Sequence, residues 1–346
     1  MSGVSVRQAT PADAARWDAY AARGSFFHRF GWGDVVRQAY GQSPIYLYAE
    51  RDGQIAGILP LIDRRSMLLG RALISVGFTT GGGVIADDDD EARRALLDAA
   101  EAEATRIKAD YIELRSPDQH EEGWHEKAAI YDAFTCPILP DEDSRLKAIP
   151  RKKRADIRKA IAMAEEGRLS AEQSADMRTF WLHFAEAQRN LGTPVFPRQW
   201  LEAQKAAFGD AMELTLVRAG SDPLCGVISY YHGDTVILYN AFISPRARAF
   251  HAGDYLYWWM LGHAAERGCT TFDLGRSKRG TGSHAYKTFW GIEPQPMTYL
   301  YKLLGAEETP NVNPQNPKFA LLSQSWKHLP MPIATRLGPM LARHLA

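Results

Sequence analysis

Two parts of the chain carry the same succession of apolar and polar patterns. In the first, residues 46–49 and 55–61 alternate or run apolar on either side of Asp52-Gly53, which predicts a β-hairpin with a tight turn. Residues 91–108 place apolar side chains near one face of a helix, and residues 111–115 follow as a short strand. The first half of the chain is therefore predicted to run hairpin, helix, strand.

The second half repeats this order. It predicts a hairpin over residues 213–218 and 226–231, a strand over 235–243, a helix over 253–267 and a strand over 271–274. Equivalent elements lie at nearly equal spacing in the two halves, which indicates a duplicated fold unit. A hairpin that leads through a helix to a further strand is typical of an α+β fold, with a mixed central sheet flanked by helices in each unit.

We divide the chain into three parts on this basis. Residues 1–145 are predicted to form the first unit, and residues 146–304 the second, which starts with a basic linker helix. Residues 305–346 are predicted to form a proline-rich connector and an amphipathic tail. The tail either packs on the body or makes a peripheral contact with a protein partner or a membrane surface.

Composition restricts the function classes that fit. The 346 residues hold 41 Lys and Arg against 41 Asp and Glu, so no overall charge attracts the chain to nucleic acid or anionic membranes. Three widely spaced cysteines predict neither disulfides nor a zinc site, and no metal site is expected. The N-terminus lacks a signal-peptide pattern, and the apolar runs are too short to span a membrane. We expect a cytoplasmic protein.

Positive charge is concentrated in the linker between the two units. Eight of the fifteen residues from 145 to 159 are basic, and a helix is predicted to start at Pro150. Four cations at a helix N-terminus oppose the helix dipole and one another. Either this helix end is simply solvated, or Lys152, Lys153 and Arg154 bind phosphate groups of a donor or an acceptor.

A second basic stretch, residues 275–291, follows the last predicted strand. Its glycines permit close approach of the backbone to a ligand, and Arg276 and Lys278 are candidate substrate ligands in a predicted loop. His284 lies in the same stretch and is a further candidate to bind the substrate. Lys287 stands just before a Phe-Trp-Gly sequence. This lysine is either a surface residue or a stabiliser of a carbonyl or phosphate group.

Aromatic and polar residues elsewhere are further candidates for the substrate site. His28 and Trp32 belong to an aromatic-rich stretch that is either a buried plug or one wall of a groove. Tyr230, Tyr239 and Asn240 lie on predicted strands and are candidates to bind an acceptor or relay a proton. Because side chains alternate along a strand, Tyr239 and Asn240 are expected on opposite faces of the sheet.

Three stretches of the chain, namely residues 150–160, residues 254–275 and Tyr286-Lys-Thr-Phe-Trp-Gly291, resemble the Fem family of peptidyl and aminoacyl transferases. The likeness spans residues 4–303. That family is built from two domains of the GCN5-related N-acetyltransferase (GNAT) type, so the resemblance implies two tandem GNAT-like domains. Within the family, the sequence is most similar to the FemAB-like branch found with bacterial exopolysaccharide and exosortase (PEP-CTERM) systems.

The resemblance implies an N-acyltransferase that moves an aminoacyl or acetyl group to an amine of a cell-envelope or exopolysaccharide precursor. It places Lys287 beside the transferred group. No tightly bound cofactor is implied, and acyl-CoA and aminoacyl-tRNA stay open as co-substrates, with tRNA as a partner in the second case. The sequence departs from the family because it lacks a long helical hairpin and a clear pyrophosphate loop.

Acyl transfer to an amine needs a path for the amine proton and polarisation of the donor carbonyl, but no protein nucleophile. Asp254 is the candidate base, with a helix cap as its structural alternative; Tyr239 is a further catalytic candidate, and Asp273 is expected to be structural. Arg248 and Gly253 lie where amides at a helix N-terminus would hold donor phosphates. The alternative function is a catalytically inert double domain that binds a partner of an envelope or secretion system.

Overall fold

The computed structural model describes residues 3–67, 69–115, 120–128, 130–309 and 317–344. The strands of this part of the chain are β1 (Ser5–Gln8), β2 (Ser43–Arg51), β3 (Gln54–Ser66), β4 (Gly70–Ser75), β5 (Tyr111–Leu114), β6 (His125–Lys127), β7 (Tyr131–Pro137), β8 (Ser170–Gln173), β9 (Met212–Ala219), β10 (Asp222–His232), β11 (Thr235–Ile243), β12 (Thr271–Lys278), β13 (Gln295–Pro296) and β14 (Tyr299–Leu303).

Helices cover the sheets and connect their strands. They are α1 (Ala14–Ala21), α2 (Gly31–Tyr40), α3 (Asp90–Arg106), α4 (Glu142–Ala148), α5 (Arg151–Glu165), α6 (Met177–Leu191), α7 (Arg198–Phe208), α8 (Ala252–Glu266), α9 (Gly282–Phe289), α10 (Pro317–Lys327) and α11 (Met331–Ala342). No helix among the described ranges is long and apolar enough to cross a membrane.

The strands form two seven-stranded sheets, ordered β1-β2-β3-β4-β5-β14-β6 and β13-β7-β12-β11-β10-β9-β8. β4 pairs with β5 and β11 with β12 in parallel, whereas the β2–β3 and β9–β10 hairpins are antiparallel. Parallel neighbours require a crossover, and α3 and α8 provide it in the first and second sheet. The predicted fold class, with a mixed sheet flanked by helices in each half, is confirmed.

Each sheet takes a strand from the other half of the chain. β14 lies between β5 and β6 in the first sheet, and β7 lies between β12 and β13 in the second. An unpaired sheet edge exposes backbone donors and acceptors, and these exchanged strands satisfy β5 and β12. β7 precedes the predicted boundary at residue 145 but belongs to the second sheet, so the two sheets do not divide the chain at that boundary. The division into folding domains stays a prediction.

The described part of the tail packs on the body of the protein. α10 and α11 both contact α6, Trp326 is buried, and a Cβ added at Gly338 would lie only 3.0 Å from Val195. Leu321 and Leu322 remain exposed. Packing on the body, one of the two predicted alternatives, is therefore what the described residues adopt. Residues 310–316 of the predicted connector lie outside them.

The contact between α6 and α10 gives a first testable prediction. Gly192 follows α6 with φ +81°, and a Cβ there would meet the Ser323 hydroxyl and lie 2.6 Å from the Ser323 carbonyl oxygen. Gly167 has a similar φ of +71° but open space around it. We expect Gly167→Ala to cost about 1 kcal/mol of backbone strain, and Gly192→Ala to cost more because α10 must also move.

Urea unfolding and limited proteolysis measure the two effects. The Gly192→Ala variant should be cleaved faster within residues 310–344 than the Gly167→Ala variant. Equal unfolding midpoints together with equal cleavage rates would contradict the inferred contact between Gly192 and Ser323.

Candidate active site

A cavity opens where the two parallel strands of the second sheet separate. Thr235–Ile237 of β11 pairs with Thr271–Asp273 of β12, and the parallel ladder ends there. Beyond it, residues 238–241 line one side of the cavity and residues 273–277 the other, around a volume of about 1080 Å³. A crevice at the carboxyl ends of parallel strands is a common position for ligand sites in α/β sheets.

Tyr239 and Asn240 both line this cavity, so the expectation that they lie on opposite faces is wrong. On β10, Ile228 pairs with Asn240 and Ser229 with Leu238, which leaves Tyr239 as the extra residue of a β-bulge. A bulge interrupts the alternation of side chains and turns neighbouring residues toward one side. The Tyr239 hydroxyl donates to the Phe78 carbonyl oxygen at 2.9 Å.

Lys287 is buried on α9 and faces the cavity, rather than lying in a basic loop. Its ammonium group donates to three successive carbonyl oxygens, those of Leu274 at 2.7 Å, Gly275 at 3.1 Å and Arg276 at 3.2 Å. A lysine ammonium has three N–H donors. All three therefore hold the irregular middle of β12, where Gly275 adopts φ +67° at a register shift in the pairing with β7.

Asp273 lies on the same wall as Lys287, and the two side chains influence each other's pKa. Burial raises the pKa of the Asp273 carboxyl, against the hydrogen bond from the Gly275 amide at 2.7 Å and the charge of Lys287. Burial lowers the pKa of Lys287 to about 8, against the charge of Asp273. Asp273 was expected to be structural, although an acidic residue at the carboxyl end of a parallel strand is also typical of a ligand site.

Two polar groups in the cavity wall have no partner within the described ranges. The Asn240 amide nitrogen and the Ser277 hydroxyl are both buried without a hydrogen bond there. Buried donors are normally satisfied, so an unsatisfied one in a cavity indicates a ligand position. The cavity thus combines a half-buried carboxylate, a buried cation that shapes the backbone, and an amide donor without a partner in the described ranges.

A protein-family model described as an acetyltransferase (GNAT) domain matches residues 151–288, which include β11, β12 and α9. Residues 151–288 are therefore similar to GNAT domains. No curated protein matches the sequence.

Solved structures extend the fold assignment to the whole chain. FemX aligns with a TM-score of 0.68 and 16% identity over 92% of this chain and 100% of its own. A tandem GNAT protein from the clavulanic acid biosynthesis pathway gives 0.53 and 11% over 88% and 100%. The C-terminal domain of an Agrobacterium fabrum protein described as a putative lysylphosphatidylglycerol synthetase gives 0.54 and 13% over 84% and 91%. At these identities the likeness shows a tandem GNAT-like fold.

Three predicted substrate ligands lie in the hydrophobic core instead of the cavity between β11 and β12. Trp32 is 0% exposed and donates to the Gly77 carbonyl oxygen at 3.1 Å. Tyr230 is fully buried and donates to the Gln204 side chain. His28 is buried, and desolvation lowers its pKa to about 4. The buried-plug alternative is correct for His28 and Trp32, whereas Ser25 and Phe27 of the same stretch line the cavity.

Asp254 lies in the first turn of α8, outside the residues that line the cavity. Its carboxylate accepts from the Lys153 ammonium at 2.9 Å and from the Tyr286 hydroxyl. The helix-cap alternative is wrong, because His251 occupies the N-cap position and Asp254 makes no side-chain cap bond. Asp156, His251 and Asp254 place potential metal ligands together, but the Lys153 ammonium already neutralises Asp254.

The other predicted phosphate ligands are spread around this helix end. Lys152 and Arg248 are exposed, and Gly253 packs near the Tyr286 hydroxyl. The Arg154 Nε is buried with no partner in the described part of the chain. A shared phosphate site for these residues stays a prediction.

The predicted glycine-rich loop after the last strand is mostly regular structure. β12 continues to Lys278, and α9 starts at Gly282 with the Thr281 side chain as its cap, a signal already present in the sequence. The His284 ring bonds the Asp132 carboxylate at 2.8 Å, and His284 is not among the residues that line the cavity. Arg276 lines this cavity and a neighbouring one, whereas Lys278 lines only the neighbouring one.

Proposed function

We propose that the chain is an N-acyltransferase whose reaction takes place in the cavity between β11 and β12. The observation that carries the proposal is the unsatisfied Asn240 amide on one side of the cavity, across from the half-buried Asp273 carboxylate on the other side. Together they supply the two groups that acyl transfer to an amine requires, a donor to the carbonyl oxygen and a base for the amine proton.

In this mechanism the acceptor nitrogen attacks the donor carbonyl carbon and forms the new C–N bond. The negative charge that develops on the carbonyl oxygen is stabilised by the Asn240 amide N–H. Asp273 accepts the proton released by the attacking nitrogen, and its raised pKa makes it a stronger base than an exposed aspartate. The C–S bond of a thioester or the C–O bond of an aminoacyl ester then breaks, and the leaving group takes this proton.

Lys287 has a positioning role in the proposed mechanism. Its three N–H groups hold the carbonyls of residues 274–276, so the ammonium has no donor left for the substrate. By fixing the backbone of residues 274–276 in β12, Lys287 fixes the orientation of the Asp273 side chain and keeps the cavity open. The donor, acyl-CoA or aminoacyl-tRNA, and an acceptor amine on an envelope or exopolysaccharide precursor belong to this proposal through the Fem-like resemblance.

Replacement of Asn240 tests the proposal without a loss of internal contacts. Asn240→Leu is expected to lower kcat about 10²–10³-fold, since a hydrogen-bond donor to a developing oxyanion contributes roughly that factor. Its melting temperature should stay within a degree or two of wild type, because the amide nitrogen has no partner to lose in the described structure. Release of free thiol from acetyl-CoA, and transfer of radiolabelled amino acid from charged tRNA to amino-sugar acceptors, measure the activity.

The same two assays, together with thermal-shift measurements, distinguish acyl-CoA from aminoacyl-tRNA as the donor. The true donor should raise the melting temperature by mass action, and the other should not. If neither donor supports transfer or stabilises the protein, the proposed acyltransferase function is wrong. If Asn240→Leu retains full turnover, the oxygen of the donor carbonyl does not lie at this amide.

A further inference from the structure

The C-terminal tail exposes large aliphatic side chains on its outer side. α10 and α11 pack on α6, and their inner side buries Trp326, Ala334 and Gly338. Six aliphatic residues of the two helices remain exposed, and we call them the tail face; they are Leu321, Leu322, Ile333, Leu337, Met340 and Leu341. Exposed apolar side chains gathered in one segment of a folded protein usually mark a contact with a partner or a membrane.

α11 is oriented with its small residues inward and its large residues outward. Ala334 and Gly338, four positions apart, lie against the body and are buried. Four large aliphatic residues lie at positions i, i+4, i+7 and i+8, which fall on one helical face, and all are exposed; they are Ile333, Leu337, Met340 and Leu341. Packing against the body therefore leaves the apolar side of this amphipathic helix without a partner in the described structure.

Hydrogen bonds fix the end of α11 on the first half of the chain. The Ser66 hydroxyl donates to the His344 carbonyl oxygen at 2.9 Å, and the Gln42 side-chain amide donates to the Arg343 carbonyl oxygen at 2.8 Å. Met67, which follows Ser66, is 88% exposed and extends the apolar surface beyond the helix end. The tail face is thus part of the folded surface, and its side chains are already arranged for contact.

Charge is distributed unequally between the tail and the body. Residues 309–346 hold four Lys and Arg and no Asp or Glu, so residues 1–308 hold 37 of the 41 Lys and Arg against all 41 Asp and Glu. Lys327, Arg336 and Arg343 are exposed on the two tail helices. The neutral total therefore conceals a basic tail on an acidic body. An anionic surface attracts the tail and repels the body, which orients the tail face toward it.

The composition and size of the tail face favour a lipid surface over a second protein. Cores of protein interfaces are enriched in aromatic residues, whereas the tail face consists of Leu, Ile and Met. A standard protein interface uses about 20–30 residues a side, several times the number in the tail face. Lys and Arg beside an apolar helical face are typical of helices that lie in the headgroup region of a bilayer. Their long side chains reach the charged lipid groups.

We propose that the tail face docks the protein on an anionic lipid bilayer, with the aliphatic side chains of α10 and α11 in the headgroup region and Lys327, Arg336 and Arg343 at the lipid phosphates. The proposal concerns binding alone and does not depend on acyl transfer in the cavity between β11 and β12. It is therefore measured without a turnover assay, and its failure would leave the proposed function untouched.

Co-sedimentation of the full chain with vesicles tests the docking. Vesicles of phosphatidylglycerol and phosphatidylcholine in equal parts supply an anionic surface, and vesicles of phosphatidylcholine supply a neutral one. The protein should bind the anionic vesicles at least tenfold more tightly, because each Lys or Arg near an anionic surface adds to the attraction. Absence of binding to the anionic vesicles, or equal binding to both, would overturn the proposal.

The double variant Leu337→Ser with Met340→Ser tests the aliphatic contact, and Phe289→Ser is its matched control. Phe289 lies on α9 and is 67% exposed, close to the 63% of Met340. The tail variant should bind anionic vesicles at least tenfold more weakly. Its melting temperature should stay unchanged, because neither side chain is buried. The control should bind like wild type. Equal binding by the tail variant and wild type, or an equal loss in the control, would contradict docking through the tail face.

The double variant Arg336→Gln with Arg343→Gln tests the cationic contact. Arg151 and Lys152, which are exposed at the start of α5, form the competing basic site. Binding to anionic vesicles should weaken in the tail variant and stay unchanged in Arg151→Gln with Lys152→Gln. The reverse result would move the membrane contact to α5 and overturn the proposal.

Sedimentation velocity without lipid tests a second copy of the chain as the occupant of the tail face. Wild type and Leu337→Ser with Met340→Ser should both sediment as monomers. A wild-type dimer that this variant converts to a monomer would show that the tail face joins two copies, and would overturn the docking on lipid.

Discussion

Asp273→Asn is expected to lower kcat about a thousandfold while the protein stays folded. General base catalysis contributes about 10²–10⁴-fold, and a neutral amide cannot accept the amine proton. The side chain is nearly isosteric, and burial already favours the uncharged form of Asp273, whose pKa is raised. Removing this carboxylate should therefore leave the melting temperature unchanged or higher, measured by thermal unfolding beside steady-state turnover.

The pH profile distinguishes a base from a structural carboxylate. Wild-type activity should rise with pH through the raised pKa of Asp273, because only the deprotonated form accepts a proton, and the variant should lack this rise. Asp254→Asn provides the competing case. It leaves the Lys153 ammonium without its partner at 2.9 Å and should lower stability, with turnover per folded molecule retained. The opposite pattern, with turnover lost only in Asp254→Asn, would return the role of base to Asp254.

Lys287→Met is expected to lower kcat at least a hundredfold. The variant leaves the carbonyls of Leu274, Gly275 and Arg276 without the lysine donor, so this middle part of β12 is expected to shift. A displacement of about 1 Å at a reacting group can cost about 10²-fold in rate. Buried unsatisfied carbonyls should also lower stability, by roughly 1–3 kcal/mol each if water does not replace the lysine. Turnover per folded molecule, corrected by the unfolding curve, measures the effect on chemistry.

The pH dependence of activity and of stability tests this positioning role of Lys287. Wild-type activity should fall as pH rises through about 8, because the neutral amine has two N–H donors for three carbonyls, and Lys287→Met should lack this fall. Stability, in contrast, should rise with pH. The pKa of Lys287 is about 8 in the folded protein and 10.5 in the unfolded chain, so the free-energy cost of burying the protonated amine is full below pH 8 and is lost by about pH 10.5. A wild-type profile identical to that of Lys287→Met would refute the role.

Local patterns were sufficient for most elements of the fold. The Asp52-Gly53 turn has positive φ at both residues, as a tight hairpin requires, and β2 and β3 pair on either side of it. The acidic run before α3 places Asp89 as the cap, with its carboxylate on the Ala92 amide at 2.9 Å. These features depend on residues close in sequence, so a single sequence is enough to predict them.

Prediction of the site was less complete because its groups meet through long-range pairing. Lys287 and Arg276, two of the predicted site residues, line the cavity, and their catalytic and binding roles remain proposals. His28, Trp32 and Tyr230 were placed in a groove as one alternative, yet they are core residues. The same aromatic composition fits a core or a groove, and only packing between the halves distinguishes the two.

The sequence by itself determined the hairpins, the crossover helices and the duplicated order of elements, since turn residues, caps and apolar periodicity act over a few residues. The tertiary structure decided the exchange of β7 and β14 between the sheets, because their partners are distant in the chain. It also decided the bulge that turns Tyr239 and Asn240 into one cavity, and the three carbonyls that gather on Lys287. Both depend on strand register, which is fixed only when the whole sheet forms.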